Sequence, residues 1–177
     1  MTEYVIDARA DEQSAHKGLA GVKRIPLSSM PGHLLRRCQQ IGVAIFLDAC
    51  AKFDLTPLQF ALLQALVNDG AQVQVTLGGA TAMDRTTIAL LVRNLEQRGL
   101  LRRARSKRDQ RAKIVTITAA GKKLLQAALP AVETAQQRIL APLSDVESRQ
   151  LLKLLEKLAE NNNALSRAPA RPQRRSA

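Results

Sequence analysis

Aromatic side chains are nearly missing from this 177-residue chain, which has three phenylalanines, one tyrosine and no tryptophan. Its core must therefore be built from leucine, alanine, isoleucine and valine, and a Leu/Ala-rich chain with scattered Lys, Glu, Gln and Arg favours helices. Histidine is as scarce, with only His16 and His33. No glycine-rich phosphate loop follows a strand, and no paired carboxylates share a plausible cleft. The convergent nucleophile, base and oxyanion donors of a hydrolase or transferase are not visible, so an enzyme is not expected. Two cysteines, Cys38 and Cys50, fall outside zinc-ligand spacings, and no metal or cofactor is expected. On one helix, twelve residues separate them by roughly 18 Å, too far for a disulfide. Cys38 shares the apolar register of Leu34, Ile41 and Ile45, which predicts a buried structural thiol; a redox-sensing thiol is the alternative. No apolar run approaches the ~18 residues of a membrane span. The start, MTEYVIDARADE, does not look like a secretory signal, and the expected location is the cytoplasm.

Positive charge, by contrast, is abundant and concentrated. The chain has a net charge of +12, and ten Lys/Arg against Glu96 and Asp109 between Arg85 and Lys113 give that stretch +8. A solvated surface intersperses both signs; a block of one sign favours polyanion binding through counterion release. The same stretch has a readable shape. Within Asp84–Arg98, Ile88, Leu91, Val92 and Leu95 recur at the spacing of one buried helical face, leaving Arg85, Thr86, Ala89 and Arg93 on the other. Asp84 can cap the start, and Gly99 stands where a helix end wants a left-handed residue. Leu100–Arg105 and Lys113–Thr118 then read as two strands around a polar tip, Ser106–Ala112. A small-faced helix followed by a cationic hairpin suits double-stranded DNA: one element for the major groove, the other for phosphates and the adjacent minor groove. This predicts a winged helix.

Around that unit the pattern predicts further helices. One runs from Pro31 to about Lys52, with Ser29 a candidate cap; another opens at the capping box Thr56-Pro57-Leu58-Gln59 and ends near Asp69-Gly70. A short helix around Leu77–Ala82 forms the first arm of the helix-turn-helix, softened by Gly78 and Gly79 at roughly 1 kcal/mol each. Thr118 starts a long helix that Pro130 is expected to bend. Ser144-Asp145-Val146-Glu147 is a second capping box, opening a terminal helix with Leu151, Leu154, Leu155 and Leu158 as an apolar stripe. The stripes at both ends are more than one small domain needs. A homodimer that packs first and last helices together, reading a palindrome with two recognition helices, accounts for them. The division expected is a loosely ordered arm over 1–27, a winged-helix domain with dimerisation helices over 28–163 (its DNA-binding part about 56–118), and a disordered basic tail over 164–177.

Taken together, DRTTIALLVRNLEQRGLLRR, the wing signature Asp109-Gln110-Arg111-Ala112 and the ending Val115-Thr116-Ile117-Thr118-Ala119-Ala120-Gly121 resemble the MarR family of bacterial transcription regulators, over roughly residues 30–163. Ile117 stands where the family pattern has leucine. The resemblance implies a mainly α, MarR-like winged helix-turn-helix dimer with a two-stranded β wing, acting as a repressor that releases DNA when a small ligand binds. It implies DNA contacts from Arg85, Thr86, Thr87 and Arg93 on the recognition helix and from Arg105, Lys107, Arg108 and Arg111 of the wing. Asp109 would brace the wing, since a carboxylate facing DNA would be repelled. The first helix, PGHLLRRCQQIGVAIF, is similar to members controlling catabolism of aromatic acids or their coenzyme A thioesters. There His33, Arg36, Arg37 and Gln40 either bind such an effector, with an arginine on its carboxylate, or form a solvated cationic face. Phe46, Phe53 and Phe60 are either pocket walls or plain core. A ligand-independent or redox-controlled DNA-binding protein is the alternative, which a ligand titration separates.

Overall fold

The structure, a computed structural model, describes residues 25–105, 112–166 and 169–170. The chain divides into two compact units, residues 1–38 and residues 39–177. In the first unit a 3-10 turn, Leu27–Ser29, closes through the Ser29 backbone N–H and hydroxyl, which both donate to the Pro26 carbonyl at 3.0 and 2.8 Å. Met30, not Ser29, immediately precedes the first helical residue, so the expected serine cap is spent on the turn instead. Helix α1 spans Pro31–Ala49, ending short of Lys52 because a 3-10 turn, Ala51–Phe53, follows and Asp54 takes a left-handed φ of 48°.

In the second unit Thr56 and Gln59 form the reciprocal capping box that opens α2, Pro57–Asp69. A two-residue strand β1, Gln72–Val73, leads into α3, Gln74–Thr81, and then α4, Arg85–Gln97. Strands β2, Leu101–Arg105, and β3, Lys113–Ile117, are followed by α5, Ala119–Leu140, which continues through Pro130, and α6, Asp145–Asn161. The sheet is antiparallel in the order β1-β3-β2, with Gln72 opposite Val115, Leu101 opposite Ile117 and Arg105 opposite Lys113. The expected two-stranded wing thus gains a third strand, too short to leave an alternation in the sequence.

The core follows from the predicted faces. Leu62, Leu63 and Leu66 of α2 meet Leu77 of α3, Ile88, Val92 and Leu95 of α4, Val115 of β3 and Leu125 of α5. Each such side chain contributes about 1.5–3 kcal/mol of burial. A smaller cluster joins Phe46 and Cys50 to Val132 and Ala135 of α5, with Phe53 and Phe60 packed against it; the Phe46 and Phe60 ring centres lie 6.0 Å apart and tilted. The phenylalanines are therefore core. Cys38 corrects the expectation of a buried thiol, since it is exposed; Cys50 is the fully buried one, its pKa pushed up by burial. Helical register places residues on a common face but does not say how far along the helix the core extends.

Two close approaches lock the sheet to its helices. Thr118 caps α5 by accepting from the Gly121 N–H at 3.1 Å, while its hydroxyl donates to the Gly99 and Leu100 carbonyls at 2.8 and 3.1 Å. A side chain at Gly121 would collide with the Leu100 carbonyl and with Cγ1 of Ile117. The Thr-Ala-Ala-Gly sequence is thus a clasp between the start of α5 and the entry to β2. Gly78 is buried in the same way: a β-carbon there would stand 2.9 Å from the Met83 carbonyl oxygen. The structure therefore gives Gly78 a packing role beyond the softening expected of the glycine pair. The terminal helix is different, since none of the α6 residues is buried. Among the described residues, no helix is long and apolar enough to cross a membrane.

Candidate nucleic-acid interface

The interface grows from the cap of α4. The Asp84 carboxylate accepts the Thr86 and Thr87 N–H groups at 2.9 and 3.0 Å and the Thr87 hydroxyl at 2.6 Å. These bonds, the Thr87 hydroxyl foremost, hold its pKa below the usual carboxylate range. At the other end Gly99, with φ 70°, ends the helix: Leu100 N–H reaches the Leu95 carbonyl and Gly99 N–H the Glu96 carbonyl, both at 2.9 Å. This pair of hydrogen bonds is the pattern of a left-handed helix stop. Between cap and stop, Ile88, Val92 and Leu95 are buried, while Arg85, Thr86, Ala89, Leu90 and Arg93 are exposed. The helix so held presents to solvent a short cationic face of small residues with Leu90 among them.

Three polar ties fix how that face is aimed. Gln59, itself 8% exposed, donates from Nε2 to Oδ1 of Asn94 at 2.9 Å while its Oε1 closes the α2 capping box. Glu96 receives Nε of Arg103 at 2.7 Å, Nη2 of the same guanidinium, and the Arg103 backbone N–H at 3.1 Å. That arrangement lowers the Glu96 pKa, chiefly through the Arg103 side-chain bond, and raises that of Arg103. Arg98 pairs with Asp54 at 3.3 Å and reaches the Phe53 carbonyl at 3.5 Å. The Glu96–Arg103 pair, charge-assisted and only 27% and 31% exposed, outweighs the Arg98–Asp54 pair, whose carboxylate is 92% exposed. Recognition helix, wing strand and the turn after α1 are therefore braced together.

The sequence-predicted residues distribute unevenly over this frame. Arg85, Thr86 and Arg93 are exposed on α4; Thr87 is half-buried, its hydroxyl already donated to Asp84. Arg105 is exposed on β2, and so are Arg102 on β2 and Lys113 opposite Arg105 on β3, neither of which the sequence pattern singled out. The strand alternation from buried Leu101 separates them: Arg103 turns in toward Glu96 and Arg102 turns out. Lys107, Arg108, Asp109 and Arg111 lie outside the described residues. On α1, His33 is half-buried and Arg36 and Arg37 exposed in the first unit, while Gln40 is exposed in the second. A groove of about 470 Å³, which no pattern in the sequence announced, opens between α2, β3 and α5. Val67, Ile117, Leu125 and Leu129 give it apolar walls, and Gln64, Thr116, Lys122 and Gln126 its polar groups.

A braced helix after a short helix and turn, with a cationic hairpin beside it, defines a winged helix-turn-helix regulator. Comparison with known proteins gives the same class. Residues 44–128 match the family model of the transcriptional regulator SarA/Rot. The chain is 34% identical to the HTH-type transcriptional repressor NicR of Pseudomonas putida, over 74% of this chain and 83% of the relative. Among solved structures, it is similar to Bordetella bronchiseptica BpsR, whose DNA binding is regulated by 6-hydroxynicotinic acid: 34% identity, 77% and 98% coverage, TM-score 0.73. It is also similar to the PcaV transcriptional regulator of Streptomyces coelicolor in complex with its natural ligand: 30% identity, 78% and 98% coverage, TM-score 0.71. This chain belongs to the MarR family of transcription regulators, and the family regulates transcription rather than catalysing a reaction.

Proposed function

We propose that this chain is a sequence-specific transcriptional repressor, binding a palindromic operator in double-stranded DNA as a homodimer and released by a small aromatic carboxylate or its acyl-CoA thioester. The observation that carries it is the exposed cationic face of α4, held between a capped start and three polar ties beside the basic β2 strand. On this reading Arg85, Thr86 and Arg93 meet the major groove, and Thr87 contributes its methyl and remaining lone pairs. Arg105, Lys107, Arg108 and Arg111 hold phosphates and minor groove, and Asp109 braces the wing. The likeness to NicR, BpsR and PcaV supports both repression and release by a ring-bearing acid. The apolar side chains left exposed on α6, with Ile41 and Leu47 of α1, support the homodimer. As a regulator of bacterial DNA it would work in the cytoplasm.

Two places for the effector follow. One is His33, Arg36, Arg37 and Gln40 on α1, where a guanidinium would take the carboxylate. The second is favoured by the 470 Å³ groove, whose volume suits a small molecule and whose Lys122 ammonium stands beside apolar walls. Fluorescence anisotropy on the chain's own upstream intergenic DNA, titrated with aromatic acids and their coenzyme A thioesters, tests the function. Specific binding released by one compound is the expected result; binding that no compound disturbs would favour the ligand-independent alternative. Lys122→Ala and Arg36→Ala, each measured for release, then separate the two locations. Arg111→Ala should lower the salt slope by about 1, the count of one lost phosphate contact.

A further inference from the structure

We propose that Leu90 reads a thymine methyl in each operator half-site, an inference that rests on the DNA-binding function just given. Leu90 is 66% exposed on α4, while Ile88, Val92 and Leu95 of the same helix are buried. A solitary exposed leucine carries no message on an ordinary surface. This one occupies a position with a specific chemistry. One helical turn before it stands Thr86, one turn after it Arg93, and beside it Ala89, all exposed. Leu90 is the sixth of the thirteen residues of α4, so it belongs to the N-terminal half that a helix lying in the major groove turns to the base edges.

The surface that covers this face must complement cations at its edges and a branched hydrocarbon at its centre. A protein partner with an apolar patch would meet Arg85 and Arg93 without compensation. A DNA major groove supplies phosphates for the arginines, and it presents only one apolar group along its base edges, the C5 methyl of thymine. The three ties at Asn94, Glu96 and Arg98 hold the C-terminal half of the helix, so Leu90 is presented by a braced backbone rather than a free one. The hydrocarbon contact discriminates without hydrogen bonds: it favours thymine over cytosine and over uracil, whose other edge groups match thymine.

The operator can be found in the same experiment that tests the contact. The dimer selects its site from a random duplex library, and each thymine of that site is then replaced singly by deoxyuridine, which deletes only the methyl. Wild-type protein should lose roughly fourfold in affinity at one thymine per half-site, the worth of one buried methyl. Leu90→Ala, which loses the contact in both half-sites of the dimer, should bind the thymine operator about sixteenfold more weakly and show no further loss with uracil at either position. Circular dichroism of Leu90→Ala should match wild type, because the side chain is exposed. Wild-type indifference to every uracil overturns the proposal, and so does a Leu90→Ala protein that keeps the full uracil penalty. A chain that selects no sequence from the library overturns the DNA-binding reading itself.

Discussion

Helices α4 and α6 have the same kind of sequence and opposite fates. Both are capped by an acceptor side chain, Asp84 in one and Ser144 in the other, and both carry an apolar stripe at helical spacing. In α4 the stripe is spent inside the chain, with Ile88, Val92 and Leu95 at 1% exposure or less; in α6 Leu154 and Leu158 are at least half exposed, Leu155 is exposed and Leu151 only half-buried. Amphipathicity therefore states that a face will be covered and leaves open by what. A helix whose polar residues are tied to neighbours, as α4 is through Asn94, Glu96 and Arg98, is positioned by its own chain. On the proposed homodimer, the stripe that α6 leaves uncovered is the one a second copy covers.

The sharpest way to break the comparison is to make α6 polar. Leu154→Gln with Leu158→Gln should leave the fold intact, because neither side chain is buried in the chain, yet turn a dimer into a monomer in sedimentation. A monomer grips one half-site, so operator affinity should fall by on the order of 10³, toward non-specific binding. An intact dimer would show that the stripe of α6 has another use.

The next effect belongs to the braced half. Gly121→Ala forces a β-carbon into the Leu100 carbonyl and Ile117, and should cost about 1–3 kcal/mol in urea unfolding. Gly42→Ala is the control: its nearest neighbour would be Cδ1 of Ile139 at an ordinary 3.6 Å, and a helix gains from alanine. Equal stability of the two variants would remove the clasp from the account.

These contrasts also explain what was legible in the sequence. Caps, stops and faces are local, so Asp84, the Thr56–Gln59 and Ser144–Glu147 boxes, Thr118, Gly99 and the buried side of α4 could all be read. The ties were not, because Gln59 and Asn94, or Phe53 and Arg98, are 35 and 45 residues apart and polar pairing leaves no periodic trace. Strand β1 is too short to alternate, and the basic run around Arg103 carries no sign that the strand register turns that one side chain toward Glu96. Cys38 is exposed where its register predicts burial, because a helical register has no end marker. The groove beside Lys122 arises from three separate elements and has no linear signature.

The smallest effect sharpens the comparison where helix meets wing. Glu96 is held to Arg103 by three bonds from one residue, and its pKa is lowered mainly by the Arg103 side chain. A depressed carboxylate pKa means the unfolded chain binds the proton more readily than the folded one. Its stabilisation is complete above the ordinary glutamate pKa of about 4.3 and fades as pH falls through the lower folded value. The pair is only partly screened, with side chains 27% and 31% exposed, which limits its worth to about 1 kcal/mol. Glu96→Gln should therefore destabilise the chain by about that much at pH 7 and by progressively less below pH 4, so that the two stability curves converge in acid. Operator affinity at pH 7 should fall with it, since the wing strand loses its hold on the recognition helix. Curves that stay parallel across that range would assign the loss to amide packing and release Glu96 from its bracing role.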